Sequence, residues 1–433
     1  MIYHVNAHTG DDRHPGSEAR PWRTLQWAAR AARPGDRVVV HRGNYSGTVR
    51  VTSAGTVWEA AEPDETVING EWDGRDTRYA PAVLSIEAPR TVVAGFTVIN
   101  APAHGIGLRG AAADVLIKNC RVHDSARSGI RLFGKNLSRN ATIVNCTITS
   151  SGRAARLNPA LHGHGIELTF GHGVMIANCT IADNAGAGIQ VRQGAKNTIL
   201  QENTIYDNAG PGIVIGNSPR TAVVDNFIYL TARPKAVKGL RPDGIAIADL
   251  PRQGQRYPMT RGTCIRGNVV ANCATLLLVH NKPARKRTLT RLDARTVIAH
   301  NTLVGGPLTQ RGVHVEPYPY GAHEPPVFRD NIIHMGHAPV GAPIANENAQ
   351  PILAASNAWS KSPPAVWASS SDTGETGLRN AAVVLSGEYP EEDDFAPELW
   401  SSLIGRATDE ATVGALEPLT LFTPQGEYHD PGL

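Results

Sequence analysis

Apolar residues along this chain come in runs of three or four, broken by polar turns, and within the runs apolar and polar positions alternate as they do in half-buried strands. A typical stretch is VMIANCTIADNAGAGIQVRQG at 174–194. It predicts a strand before the Asn, a second strand after it, a polar turn, a Gly and a third strand. The Asn returns as Asn119, Asn145, Asn178, Asn203, Asn226, Asn268, Asn301 and Asn331, at intervals of 26, 33, 25, 23, 42, 33 and 30 residues. A period near 24 with insertions predicts coils that cannot bury their own apolar face and must stack. Three strands per coil, joined by turns too short for a crossover helix, predict an all-β, right-handed parallel β-helix, regular from about 91 to 335.

Strand alternation then assigns faces. Ile106, Ile130, Ile166, Ile189, Ile213 and Ile245, each just after a Gly, point inward. The row beside them, Gly107, Arg131, Glu167, Gln190, Val214 and Ala246, points outward, and so does Arg109, Phe133, Thr169, Arg192, Gly216 and Ala248. The residue before each Gly is His104, Ser128, His164, Ala187, Pro211 or Asp243, a set mixed enough to predict a solvent-facing position. The repeated Asn is read as one inward ladder that satisfies backbone groups. Cys120, Cys146 and Cys179 follow it and should stack as buried thiols, since a coil spacing of ~4.8 Å is too wide for a disulfide.

The ends differ from the middle. Residues 1–36 read as a head, with a strand at 2–5 and a capping helix over about 22–32 whose apolar face is Leu25, Ala28, Ala29 and Ala32. Residues 37–345 form the β-helix, and 346–433 read as a last coil and irregular cap of the same domain. Gly 43 and Pro 30 against 19% charged residues agree with short strands and many turns. No stretch is long and apolar enough for a membrane span, and the first residues lack the layout of a signal peptide; if one has been removed, a secreted or periplasmic location follows. Net charge +3, with no aromatic and basic residues interleaved, gives no nucleic-acid surface. Neither oligomeric state nor compartment is assigned.

The opening segment, running from Gly10-Asp11 and Pro15-Gly16 through Pro21-Trp22 and Thr24 to Pro34-Gly35-Asp36, Gly43 and Tyr45, resembles the head of pectate-lyase-like right-handed β-helix proteins. The stretch SSLIGRATDEATVGALEP near the end resembles the last coil of the same group. The resemblance implies the fold over almost the whole chain. It implies carbohydrate-active chemistry less narrowly, because that superfamily holds polysaccharide lyases, glycoside hydrolases, uronate epimerases and phage tailspikes. The polygalacturonase branch is disfavoured: Gly163-His164-Gly165 and Gly171-His172-Gly173 precede Pro242-Asp243-Gly244, with no Asp-Asp between and no Arg-Ile-Lys after. An aspartate cluster of the calcium-binding pectate-lyase kind is also missing.

Insertions predict where a ligand would sit. Residues 150–165 and 230–244 occupy the same corner three coils apart, which places two walls ~14 Å from each other. The walls carry Arg153, Arg156, Arg233, Lys235, Lys238 and Arg241, and the floor Ala187, Pro211, Val214, Gln190 and Arg192. Such a basic cleft favours a polyanion, here a uronate-containing or sulfated polysaccharide. A second basic run, 281–295, projects from another corner. For β-elimination, His164 is the expected base, with Arg192, Arg131 or Lys238 neutralising the carboxylate and Glu167 and Asp243 nearby; His162, Gln190, Arg153, Arg156, Lys235 and Arg241 are expected to bind substrate. Glu167 and Asp243 should lie too far apart for the paired carboxylates of hydrolysis. Glu202 and Asp225 should stack and could hold Ca²⁺, Asp183 and Asp207 should make corner turns, and His162, His164 and Glu167 have residue types suited to zinc but lack a further rigid ligand. A polysaccharide lyase is the favoured reading, a glycoside hydrolase and a non-catalytic, tailspike-like glycan binder the alternatives.

Overall fold

The computed structural model describes residues 1–74, 81–134, 139–157, 163–248, 260–280, 296–315, 326–335, 338, 342–346, 353–360 and 373–374. Within them the short alternating runs become strands of two to six residues in three parallel sheets. Sheet A runs from Ile2–Val5 to Leu353–Ala355, sheet B from Gly43–Ser46 to Thr373–Gly374, and sheet C from Val49–Val51 to Ala342–Asn346. The chain visits A, B and C in turn, so each strand pairs with its equivalent one coil away. Ile106, Ile130, Ile166, Ile189, Ile213 and Ile245 stand in register and are buried, as their spacing predicts. Strands of A and B continue past residue 345, through Ala358–Trp359 and Thr373–Gly374. The cap expected beyond them lies outside the described residues.

The corner between sheets A and B corrects the Asn ladder. Each turn there needs one residue in the left-handed conformation, followed by one that points inward. Asn119, Asn145 and Asn178 are the left-handed residues, with φ of 53°, 54° and 52°, and their side chains are exposed. Asn tolerates that conformation better than most residues. From Glu202 onward the frame shifts by one: Glu202, Asp225, Gly267, His300, Asp330 and Ser356 turn the chain, and the Asn after each goes inside. The buried column is therefore Cys120, Cys146, Cys179, Asn203, Asn226, Asn268, Asn301, Asn331 and Asn357. Two neighbouring positions of the turn share one residue type in the sequence, which hides the shift.

Once inside, the amides form a continuous chain. Asn268, for example, accepts from the backbone N–H of Asn226 at 3.0 Å and from its Nδ2 at 2.9 Å. Its own Nδ2 donates to the Val223 carbonyl and to Asn301. The same set repeats from Asn203 to Asn357. In the earlier coils the three cysteines are free, buried thiols, each donating to the carbonyl two residues before it at 3.2 to 3.3 Å. Their ladder is the one expected.

The head closes one end of this column. Helix Leu25–Ala31 starts at Thr24, whose Oγ1 accepts from the Trp27 N–H, and the Asp12 carboxylate holds Thr24 in place through both its amide and its hydroxyl. Leu25, Ala28, Ala29 and Ala32 are buried, which confirms the predicted apolar face. Trp22 lies beneath Gly16, where φ is 79° and a Cβ would strike the indole. The Tyr45 hydroxyl donates to the His41 carbonyl and accepts from the Ala7 amide, joining head to first coil.

Replacing one inner Asn removes several bonds at once. Asn268→Ala should lower unfolding stability by about 2 to 4 kcal/mol, because buried amides and carbonyls lose partners, whereas Asn178→Gly should change it by less than about 1 kcal/mol, since Gly accepts the left-handed turn. Denaturant unfolding of the two variants checks the frame shift.

Candidate functional site

Both insertions leave sheet B and enter sheet C, as expected, after strands Thr147–Thr149 and Phe227–Tyr229. They do not stand apart as two walls. Val237 of the second insertion is buried in one apolar cluster with Ala155 of the first and with Ala185 and Ala209 of the short coils between, and Leu240 packs against it. Small residues at these corners let the strap lie flat, so the corner is sealed. The floor is covered too: Ala187, Val214, Ala246 and Leu278 form a second buried cluster on the outer side of sheet C. Arg153 is committed to Asp124 at 3.0 Å and lies over the Trp72 ring, and Arg241 is committed to Asp243 at 2.8 Å. Arg233, Lys235 and Lys238 are exposed on the strap and have no acidic partner among the described residues. His162, the side chain of Arg156 and the run 281–295 lie outside the described residues.

The position before each Gly is also corrected. His104, Ser128, His164, Ala187 and Asp243 are buried, and only Pro211 is partly open. The glycines that follow them explain why: a Cβ at Gly105, Gly129, Gly165 or Gly188 would collide with a neighbouring coil, so the corner folds too tightly to expose the residue before it. Asp243 is thus an inward carboxylate whose pKa is raised by burial, held by Arg241 and Thr275. It stands three strands from Glu167 in the register of sheet C, which agrees with the expectation that they do not pair.

What the fold does bring together lies nearer the head. On the outer side of sheet C, Arg131 and Glu167 are direct neighbours in adjacent strands, 3.4 Å apart from Nε to Oε2. The Ser128 hydroxyl donates to the same Oε2 at 2.8 Å and accepts from the His164 amide. Arg131 Nη1 lies 3.0 Å from His104 Nε2, and its guanidinium covers the Phe133 ring at 4.7 Å. Arg109 approaches the same ring, and Glu87 joins Arg109 and Arg50 one step further along. Gln190 and Arg192 continue the polar face on the next strand, opposite Glu167 and Thr169. Four of the expected residues, Arg131, Glu167, Gln190 and Arg192, therefore share one surface with His164 beneath it. His104, Ser128 and Phe133 complete it and were not singled out by sequence; the signal was present, since all three stand one coil from residues that were.

Charge states follow from the geometry. Burial works to raise the Glu167 pKa, but the charge of Arg131, the two histidines and the Ser128 hydroxyl outweigh it, and the net direction is down. Desolvation, followed by the charge of Arg131, lowers His104 to about 3. The Ser128 N–H donates to His104 Nδ1 at 3.2 Å, and the Ala187 N–H donates to His164 Nδ1 at 3.0 Å. A neutral imidazole that accepts at Nδ1 carries its proton on Nε2. With Nδ1 of His164 engaged by the backbone, the part in catalysis expected of this residue falls to Nε2.

The remaining acidic pairs are corner residues. Glu202 and Asp225 both have φ of 53°, and the Asp225 pKa is raised by burial and then by Glu202. Among the described residues no three His, Cys, Asp or Glu side chains gather as metal ligands would. Asp183 and Asp207 are left-handed corner residues as well, and Asp207 accepts from the amide and hydroxyl of Thr231 in the next coil.

His104 gives the acid limb of stability a definite sign. Its folded pKa, about 3, lies below the ordinary 6.5, so the unfolded chain takes the proton first. The stabilisation is complete above pH 6.5 and is lost as the pH falls toward 3, by about 2 kcal/mol between pH 7 and pH 5. Unfolding curves at these two pH values should show that loss in the native sequence and a smaller one in His104→Asn.

The comparisons with known proteins agree with this architecture. The family described as right handed beta helix region matches residues 83–232. No curated protein matches the sequence significantly. Among solved structures, XylC in complex with xylose is similar at 14% identity and a TM-score of 0.60, over 86% of both chains. The pectate lyase Pel9A is similar at 16% identity and 0.53, over 96% of both. A mannuronic acid specific family 6 polysaccharide lyase from human gut microbiota is similar at 14% and 0.52, over 83% of this chain and 86% of that one. At such identities it is the path of the backbone that is shared. The chain is a right-handed parallel β-helix with the pectate-lyase-like fold.

Proposed function

We propose that this protein acts on an anionic, uronate-containing or sulfated polysaccharide laid across the outer side of sheet C, and that it cleaves the chain by β-elimination. The observation that carries the proposal is the half-buried Arg131, held between Glu167 and His104 over an aromatic ring and followed on the same surface by Gln190 and Arg192. A fixed guanidinium in a partly dry site is the group that best meets the charge growing on a uronate carboxylate as its C5 proton leaves. Support comes also from the pectate lyase and the mannuronic acid specific lyase that share the fold.

Roles follow from the hydrogen bonds. Arg131 and Arg192 neutralise the carboxylate, Gln190 contacts the sugar, and His164 offers its Nε2–H to the departing oxygen. Glu167 orients Arg131 rather than reacting, because it is itself held by Arg131 and Ser128. Hydrolysis is disfavoured by spacing: Glu87 and Asp243 each stand three strands from Glu167, ~14 Å at the usual strand spacing, against the ~5 to 9.5 Å that paired carboxylates require. Lys235 and Arg233 on the strap supply a longer-range field for the polyanion. Elimination also requires an acceptor for the C5 proton. Neither imidazole offers one in its neutral form, so Lys238 is the candidate for that step. The same point favours a second reading, in which the surface grips a glycan without cutting it.

Incubation with pectate, alginate, glucuronan and glycosaminoglycans separates these readings. Elimination predicts the absorbance of an unsaturated uronate on at least one polymer. Reducing ends without that absorbance would mean hydrolysis, and retention on the polymer without product would mean binding alone. Where elimination is seen, Arg131→Ala should lower kcat/KM at least about 100-fold, and Lys238→Ala should abolish turnover while leaving polymer binding measurable if Lys238 is the proton acceptor.

A further inference from the structure

His104 and Arg131 meet in a way that folding alone does not explain. His104 is buried, and its Nδ1 accepts from the Ser128 N–H, so the neutral ring carries its proton on Nε2. That Nε2–H faces Nη1 of Arg131 at 3.0 Å, and a guanidinium has only donors. Two donors therefore point at one another's space. Moving the proton to Nδ1 does not help, because the conflict then passes to the buried Ser128 N–H, which no outside acceptor can reach. The Arg131 end is different: its side chain is partly open to solvent, and Arg131 Nε is already turned to Glu167. Among the described residues no acceptor meets His104 Nε2.

We infer that one anionic oxygen of the ligand is received jointly by His104 Nε2–H and Arg131 Nη1, making this pair the subsite for the carboxylate or sulfate of a sugar unit. The inference rests on the proposed anionic saccharide and names the atoms that recognise it. An anionic acceptor between the two groups converts a donor–donor contact into two charge-assisted hydrogen bonds. Phe133 fits the same role: its ring lies under Arg131 and is tilted against His104 at 6.4 Å between centroids, which fixes the guanidinium plane and offers an apolar face to the sugar carbons. Glu167 and Ser128 hold the other side of Arg131, so the guanidinium is aimed before any ligand arrives. Burial and the neighbouring guanidinium keep His104 neutral, and the subsite should therefore work unchanged from pH 7 to pH 5.

His104→Asn tests the pair without emptying the corner. Its side-chain oxygen can take over acceptance from the Ser128 N–H, while nothing replaces the Nε2–H. Calorimetric titration would use a galacturonate trimer, a keratan sulfate tetrasaccharide, which carries sulfate and no uronate, and a neutral cellotriose. The native sequence should bind at least one of the two anionic probes and not the neutral one, and the probe that binds distinguishes carboxylate from sulfate. His104→Asn should bind that probe about 10- to 100-fold more weakly, as loss of a hydrogen bond to a charged group implies, with its unfolding midpoint at pH 7 preserved. Nitrogen-15 spectra of the imidazoles supply a readout independent of the variant: His104 should carry its proton on Nε2, and that resonance should move when the probe is added. Equal affinity in His104→Asn, or a proton on Nδ1, overturns the subsite alone. Failure of the native sequence to bind either anionic probe overturns the proposed function and the subsite together.

Discussion

Everything in this molecule rests on the hydrogen bonding of one coil to the next. A three-stranded coil has no fold of its own; it acquires one when its strands find partners above and below and its inward side chains meet their equivalents. The apolar Ile rows provide much of the burial, but they tolerate sliding, since one isoleucine packs on another in several registers. The corner amides do not. Each inner Asn from Asn203 to Asn357 is bonded to the backbone and side chain of the next, so a slip of one residue would leave buried polar groups unpaired. Register set in this way at one corner is carried along each sheet to the opposite face of the coil.

That rigidity is what makes the polar surface on sheet C usable. Arg131, Glu167, Gln190 and Arg192 lie far apart in sequence and owe their proximity wholly to register. Because strands in a stack are about 4.8 Å apart, side chains on neighbouring strands meet with little freedom to adjust. Pre-orientation then comes from below: Ser128, His104 and His164 sit in the tight position before each Gly, and from there they hold the charged groups above them. His164, which sequence marks as reactive, and His104, which it does not, are both engaged by backbone amides through Nδ1.

Much of the fold was legible because strand alternation and stacking leave a direct trace in the sequence. The Ile register, the head helix face of Leu25, Ala28 and Ala29, and the thiol ladder all follow from period and side-chain type. The Asn ladder was half legible. Asn serves equally as a left-handed turn residue and as an inward amide, so Asn178 and Asn203 look alike although one is exposed and the other buried. The site was legible in its residues but not in its outline. Insertion length revealed which corner carries extra chain, but it could not tell that Val237 folds down onto Ala185 and Ala209 and closes the space between the walls. Likewise a mixed set of residues suggested exposure before each Gly, where the absence of a Cβ on the glycine in fact draws the corner inward.

The proposed ligand surface is thus the polar stretch of sheet C between Glu87 and Arg192, in place of the basic strap that the insertions suggest. A crystal structure of the protein with a bound oligouronate addresses that choice most directly. The expected result is a sugar chain crossing sheet C with an acidic group against Arg131 and His104 and a ring beside Phe133. A chain bound instead along Arg233, Lys235 and Lys238, with the Arg131 surface empty, would contradict it.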